Sequence, residues 1–452
     1  MRSGPVLVLS FALSLSACAQ SCGQERAAKG EGEAADAAQA PTPASAPAPV
    51  AAPALAFARD DQAYRDALAD LDWEIAAAEA RAEANPRTWL VLEKVAGLHL
   101  QRARLSGSYD DYAAAEDALT RAFERAAEGS GPLLTRAALN FSLHRLDRVE
   151  ADLDIVAKRP VLGDPTRARI ESMRGAVDFE RGDYEAALAH FEAVEGLDET
   201  GTVLAQRAQW YWRHGDIEQA EALYRRAGSH YPEDALEPRA WTELQLGIID
   251  LERGRYEDAF EHCRAGAGIL GGWWLLEEHI AEIAGLLGHR EQSLALYAEI
   301  IARTGKGEFM DARAALLRED PSEAAQAEAD ALIERAGQTF AAELERYPEA
   351  SYGHALGHYL EFGPADRALE LAEANHRLRP GVPAKIALAE ARLASEDPEG
   401  ARAVIDEALA TGWSSAALSW TAAEVYAALE DEARAAKLRA QAKAINPHIG
   451  EP

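Results

Sequence analysis

The sequence predicts an all-α fold. Of its 452 residues, 48% are hydrophobic but only 7% are aromatic, and alanine, leucine, glutamate and arginine are abundant. These residues are strong helix formers, and no alternating runs of valine, isoleucine and threonine compete with them. From this composition we expect helices throughout the folded part of the chain.

The net charge restricts the classes of partner. With 76 acidic and 46 basic residues, the formal charge is −30 at pH 7. A nucleic-acid backbone would be repelled, and no basic stripe interrupts the acidity. The sequence therefore predicts no nucleic-acid partner. It allows basic or apolar protein partners, and most of the charge fits a solvated helical surface.

The first 17 residues predict a signal peptide. Arg2 precedes the apolar run PVLVLSFALSL, which is too short for a membrane-spanning helix and suits a secretory signal. Residues 15–18, LSAC, resemble the bacterial lipobox, and the resemblance implies that Cys18 is lipidated. Ala19, where an aspartate would imply the inner membrane, favours the outer membrane. The alternative is ordinary cleavage, which would release a soluble secreted protein.

Residues 18–57 predict a disordered, lipidated tether. Prolines recur every few residues, as in APTPASAPAPVAAPALA, and they prevent a helix. The segment has too little apolar surface to offset its chain entropy. Cys22 lies in this tether as an expected free thiol, and Cys263 is expected to be a small core residue. No Cys/His spacing predicts a structural zinc site.

The central part of the chain contains four similar units, aligned on their turn glycines. The units are GAVDFERGDYEAALAHFEAV (175–194), AQWYWRHGDIEQAEALYRRA (208–227), GIIDLERGRYEDAFEHCRAG (247–266) and AEIAGLLGHREQSLALYAEI (281–300). The turn glycines Gly182, Gly215, Gly254 and Gly288 are 33, 39 and 34 residues apart. A helix–turn–helix unit with this period resembles the tetratricopeptide repeat. The resemblance implies a right-handed α-solenoid that binds peptides or proteins.

A packing pattern accompanies these turns. Each unit has a small residue one helix before the glycine, as at Gly175, and a second one after it, as at Ala187. A larger residue such as Phe191 follows four positions later and is expected to fill the gap between the helices. Pro232 should end the second helix of its unit.

The remaining chain extends the array. A leading helix is expected over 60–84, and degenerate hairpins over 89–127 and 133–157, for a total of about nine hairpins. We divide the array into a first block at 58–304, an irregular helical connector at 305–347 and a second block at 348–447. Residues 448–452 form a tail.

The strongest sign of enzymatic chemistry is the segment HALGHYLE. His354, His358 and Glu361 would share one helix face, where two histidines and a carboxylate can hold a divalent metal. The alternative is that they are surface residues of a repeat. No phosphate-binding loop or catalytic signature occurs, so no cofactor and no other metal site are predicted.

Two features suggest partner contacts. In GILGGWWLLEE, adjacent Trp273 and Trp274 at a helix start should not both face the core, so at least one is expected to be exposed. Either Trp273 covers the contact with the preceding repeat, or an exposed tryptophan is an anchor for a partner. The first helices of the hairpins should line the concave face of the array. The residues expected on that face are Gln209, Trp212, Arg213, Trp241, Ile248, Glu252, Glu278 and Glu282. Their apolar and acidic side chains suit a basic or amphipathic segment.

These observations favour a non-enzymatic lipoprotein scaffold that faces the periplasm and organises a membrane-associated protein complex. Two alternatives stay open. One is a soluble secreted binding module, which follows if Cys18 is not lipidated. The other is a metal-dependent enzyme that uses His354, His358 and Glu361.

Overall fold

The computed structural model describes residues 55–197 and 199–451, which form 21 α-helices and no β-strand. The predicted signal peptide, Cys18, Cys22 and nearly all of the tether lie outside the described residues. The helices are α1 (Gln62–Ala84), α2 (Leu90–Ser106), α3 (Tyr109–Arg125), α4 (Leu133–Ser142), α5 (Leu146–Ala157), α6 (Asp164–Arg181), α7 (Tyr184–Ala193), α8 (Gly201–Arg213), α9 (Ile217–His230), α10 (Leu236–Glu252), α11 (Tyr256–Ile269), α12 (Trp274–Leu286), α13 (Arg290–Thr304), α14 (Gly307–Arg318), α15 (Glu323–Arg346), α16 (Pro348–Phe362), α17 (Ala365–Leu378), α18 (Val382–Ala394), α19 (Pro398–Leu409), α20 (Ala416–Ala428) and α21 (Glu432–Ile445).

The helices pair as antiparallel hairpins. After the leading helix α1, the described chain forms ten hairpins, from α2–α3 to α20–α21, in which each even-numbered helix packs on the next one. We call the even-numbered helices α2 to α20 the inner helices. The helical solenoid predicted from the sequence is confirmed. The segment predicted as an irregular connector, 305–347, is itself the hairpin α14–α15.

The turn glycines act as the sequence predicts. Gly182, Gly215, Gly254 and Gly288 have φ values of 80°, 84°, 73° and 82°, in the left-handed region that glycine enters without steric cost. Such a residue ends one helix and lets the chain reverse. After Gly182, the side chain of Asp183 accepts a hydrogen bond from the backbone N–H of Ala186 at 3.1 Å and so begins the next helix.

The small residues allow the paired helices to approach closely. A Cβ atom on Gly175 would lie 2.7 Å from Cδ1 of Phe191 and 3.1 Å from the carbonyl oxygen of Ala187. On Gly247 it would lie 3.0 Å from Sγ of Cys263. The predicted pairing of small residues with a larger residue is therefore confirmed, and Cys263 is a buried free thiol of the core.

The expectation of an exposed tryptophan at GILGGWW is wrong, because Trp273 is 1% exposed and Trp274 is 2% exposed. Trp273 precedes α12 in an extended conformation, with φ −70° and ψ 115°. The rotation of about 100° between neighbouring helical residues therefore does not apply to this pair, and both side chains can face the core. Nε1 of Trp274 donates a hydrogen bond to the carbonyl oxygen of Leu105 at 2.8 Å. The segment before α1 lies against the glycine turn, where a Cβ atom on Gly272 would meet Asp61.

The solenoid winds far enough for its late hairpins to pack on its early ones. Each of the first four hairpins contacts a hairpin six positions later, as in the stacked rings of Tyr109 and Tyr347, 5.4 Å apart. Two backbone hydrogen bonds join the turns: the N–H of Gly381 donates to the oxygen of Glu180 (3.1 Å), and that of Ser414 to the oxygen of Arg213 (2.7 Å). We call this contact between superhelical turns the seam.

The seam is also apolar. One core cluster combines Phe179, Tyr184 and Phe191 of the hairpin α6–α7 with Val382 and residues of the last two hairpins. The hydroxyl of Tyr184 accepts a hydrogen bond from the N–H of Val382 at 2.9 Å. The third hairpin and the last two therefore share one core, which closes the superhelix at the seam.

The seam predicts different costs for two similar substitutions. A Cβ atom at Gly182 would lie 3.2 Å from both Cα of Gly381 and the carbonyl oxygen of Pro380, whereas one at Gly288 meets nothing within 4 Å. Both glycines have positive φ, so alanine at either position should cost about 1–2 kcal/mol of backbone strain. Gly182→Ala should lose roughly 1–3 kcal/mol more through overpacking at the seam. Urea unfolding would measure this difference, and equal losses would contradict the close contact.

Candidate functional site

The inner helices surround a central cavity of about 1190 Å³, which we call the bore. Every inner helix contributes lining residues. The inner helices α2, α4, α6, α8 and α10 contribute residues near their C-terminal ends, and α16, α18 and α20 contribute residues near their N-terminal ends. The bore is therefore assembled from both turns of the superhelix, and closure at the seam creates it.

Five of the eight residues predicted on the concave face line the bore: Gln209, Arg213, Ile248, Glu252 and Glu282. Arg213 forms a two-pronged ion pair with Glu252, with nitrogen–oxygen distances of 2.6 and 3.1 Å. The two contacts hold the guanidinium group in place, and the carboxylate of Glu252 neutralises its charge within the wall of the bore.

The other three predicted residues do not line the bore. Trp212 is a core residue, 4% exposed, and the guanidinium group of Arg213 lies 3.6 Å from the centre of its ring. Gln209 and Arg213 are about 40° apart around α8 and share the bore-facing stripe, whereas Trp212 is about 100° from Arg213 and faces the core. Trp241 is half-buried, with its ring 6.2 Å from that of Tyr224. Glu278 is half-buried beside His279.

The structure separates the histidines of the HALGH segment. His354 lines the bore, whereas His358 is buried, with Nδ1 2.9 Å from an oxygen of Asp311. The expectation that they are surface residues is wrong for His358. Glu361, the third residue of this predicted set, is exposed. In the described chain, the donor atoms of His354, His358 and Glu361 do not form a cluster compact enough to hold a metal ion.

The part of the wall that joins α4 to α17 was not predicted from the sequence. Nη1 of Arg379 lies 3.0 Å from Nε2 of His144, although 235 residues separate them. His144 has φ 56°, an unusual value for a residue other than glycine. Burial, Arg379 and His354 lower the pKa of His144 well below its ordinary value of 6.5. Burial raises the pKa of Glu180, against the opposite effect of Arg379.

One sequence signal could have revealed part of the missed wall. In the four similar units, the residue two positions before the turn glycine lines the bore in every case. These residues are Glu180, Arg213, Glu252 and Leu286. Leu286 is 47% exposed and gives the wall an accessible apolar side chain.

The bore differs from the whole protein in its charge balance. It is lined by five basic side chains, Arg104, Arg213, Lys306, Arg318 and Arg379, and by five acidic ones, Glu180, Glu252, Glu282, Glu319 and Glu451. Its formal charge is therefore zero with neutral histidines, compared with −30 for the chain. Aromatic side chains, including Tyr109, Phe179 and Trp413, form much of the remaining wall.

Several solved structures resemble this chain in fold. A tetratricopeptide repeat protein from Parabacteroides merdae is 17% identical, with a TM-score of 0.33 over 54% of this chain and 93% of its own. A human IFIT1 dimer with m7Gppp-AAAA is 13% identical, with a TM-score of 0.41 over 85% and 95%. The APC/C hetero-tetramer Cut9-Hcn1 is 12% identical, with a TM-score of 0.32 over 85% and 92%. At these identities and TM-scores, the matches carry no argument about function.

No protein-family model and no curated protein sequence matches the chain. Within the residues that the structure describes, no helix is both long and apolar enough to cross a membrane.

The environment of His144 predicts a dependence of stability on pH. Because its pKa is lowered on folding, the unfolded chain takes up a proton near pH 6.5 that the folded chain does not. Stability should be full above pH 6.5 and fall as the pH decreases, by at most about 1.4 kcal/mol per pH unit from this group.

His144→Asn tests this linkage, since asparagine tolerates a positive φ and does not titrate. Urea unfolding between pH 7.5 and 5.5 should show a smaller acid-induced loss of stability than in the wild type. The loss should not vanish, because the pKa of His354 is also lowered, mainly by burial. His230→Asn, at an exposed position, serves as the control. Identical pH slopes for His144→Asn and the wild type would contradict the assignment.

Proposed function

We propose that this chain is a non-enzymatic scaffold of the bacterial cell envelope that binds segments of partner proteins in its bore. A lipid on Cys18 anchors it in the outer membrane, and the repeats face the periplasm. The residues LSAC after an apolar signal sequence support the anchor, and Ala19 supports the outer membrane. In this role the protein organises a membrane-associated complex.

The accessible side chain of Leu286 within the bore is the observation that carries this proposal. Burial of an apolar side chain removes it from water and is favourable. An exposed apolar patch therefore often marks an interaction site. Leu316 of α14 also lines the bore and is only half-buried, so the apolar surface extends to a second inner helix. A partner side chain bound here would bury both leucines.

The charge balance favours an amphipathic segment over a strongly basic one. Because the bore has no net formal charge, a purely basic segment would gain little by entering it. Aromatic and aliphatic residues of the wall bind the apolar face of such a segment, while Glu282 and Glu319 offer carboxylates to its basic side chains. The same charge of −30 that disfavours nucleic acid draws basic partners towards the protein.

The substitution Leu286→Glu should reduce partner binding. A carboxylate at this position removes the apolar contact and would be desolvated by an apolar partner, at a cost of about 1–3 kcal/mol, or roughly 5- to 150-fold in affinity. The matched control is Leu90→Glu, since Leu90 is 60% exposed and does not line the bore. Crosslinking and pull-down from native envelopes should recover the same partners with Leu90→Glu and the wild type, but fewer with Leu286→Glu. Equal recovery by all three would refute the bore as the binding site.

The membrane anchor is tested by the substitution Cys18→Ala in the full precursor. Wild-type protein should fractionate with the outer membrane, and the mass of its mature N-terminus should include lipid. Cys18→Ala should lose that lipid and leave the membrane fraction, because the mature protein would have no acyl chains to bury. A wild-type N-terminus without lipid, recovered in the soluble fraction, would instead support the secreted module.

A further inference from the structure

Three potential metal ligands lie together on α12, at the edge of the bore. Glu278, His279 and Glu282 each offer one donor atom, and these atoms all lie within 4.8 Å of one another. Positions i, i+1 and i+4 of a helix span about 100° of its circumference, so the side chains can meet above one face. This trio is separate from the HALGH segment considered in the sequence analysis.

The orientation of His279 is that of a metal ligand. The imidazole is 3% exposed, and its Nδ1 lies 2.9 Å from the carbonyl oxygen of Leu275 and 2.7 Å from a carboxylate oxygen of Glu278. Metal-binding histidines are commonly held with one ring N–H donating to a backbone carbonyl, as Nδ1 of His279 can donate to Leu275, and with the other nitrogen bound to the metal. Glu278 would then turn from Nδ1 to reach an ion at Nε2. Among the described residues, the buried Nε2 of His279 has no hydrogen-bond partner.

The surroundings of the trio suit a cation. Cys263 of the neighbouring helix α11 is fully buried, and after burial the largest influences that raise its thiol pKa are Glu278 and Glu282. The negative potential of the two carboxylates therefore extends to α11. Glu282 lines the bore, which gives an ion a route to the trio from solvent.

We propose that Glu278, His279 and Glu282 bind a divalent transition-metal ion such as Zn²⁺ in the wall of the bore. One imidazole nitrogen and two carboxylates form the donor set that zinc accepts, and three protein ligands leave a fourth position open. Because Glu282 lines the bore, a water molecule or a donor atom of a bound segment can complete the coordination. The site does not depend on the proposed scaffold function, since the ion binds to the free protein.

Calorimetric titration of Zn²⁺ into the metal-free full chain tests the site. The wild type should show one saturable site per chain, and His279→Gln and Glu282→Gln should each weaken binding by at least about tenfold. The double variant His354→Gln/His358→Gln and the variant Cys22→Ser should bind as the wild type does. These controls separate the α12 site from the HALGH histidines and from the tether thiol.

Titration with Co²⁺ supplies a second measurement, because its visible absorption reports ligand geometry. The wild type should give the spectrum of a four- or five-coordinate ion, and His279→Gln should not. If circular dichroism shows that His279→Gln is unfolded, Glu282→Gln at the bore surface decides the question. Either the absence of a saturable wild-type site, or equal zinc affinity in the wild type and the folded variants, would overturn the proposal and leave the trio as an internal ion pair.

Discussion

The rest of the structure depends on the packing of late hairpins against early ones. Helix C-termini leave carbonyl oxygens without partners inside the helix, and helix N-termini leave N–H groups. At the seam these groups satisfy one another: Arg213, the last residue of α8, accepts from Ser414 just before α20, and Glu180 of α6 accepts from Gly381 at the start of α18. The negative end of one helix dipole thus meets the positive end of another. Without this contact the inner helices would line an open groove and would not enclose a bore.

The sequence predicts the helical hairpins but not the contact between the two superhelical turns. Turn glycines and the fit of Phe191 against Gly175 repeat at short range, so their spacing predicts the hairpins. The contact between His144 and Arg379 joins residues 235 positions apart and has no local pattern. The burial of both Trp273 and Trp274 was missed for a local reason, since Trp273 lies in an extended turn before α12. The concave face was therefore predicted from α8, α10 and α12 alone, and the rest of the bore wall was missed.

Closure also explains the placement of charge. On an open solenoid, charged side chains of the inner helices would be solvated, but inside the bore each needs a partner. Arg213 has Glu252, and Arg379 has Glu180 at 3.6 Å. These two pairs offset the cost of burying their own charges and contribute to the neutrality of the bore, whereas Arg318 and Lys306 pair with Asp330 and Glu308, which do not line it. Selectivity for a partner then comes from the positions of the charges and from apolar contacts such as Leu286.

The seam restricts how a partner can reach the bore. Entry from the side would separate the two turns and expose Phe179, Tyr184 and Val382, which share one core cluster. Each fully buried side chain of this kind contributes about 1.5–3 kcal/mol, so opening would cost more than a short segment could return. Entry along the superhelix axis leaves that core intact. A segment that enters this way would meet the wall position two residues before the turn glycine, where Glu180, Arg213, Glu252 and Leu286 differ in charge and polarity from hairpin to hairpin.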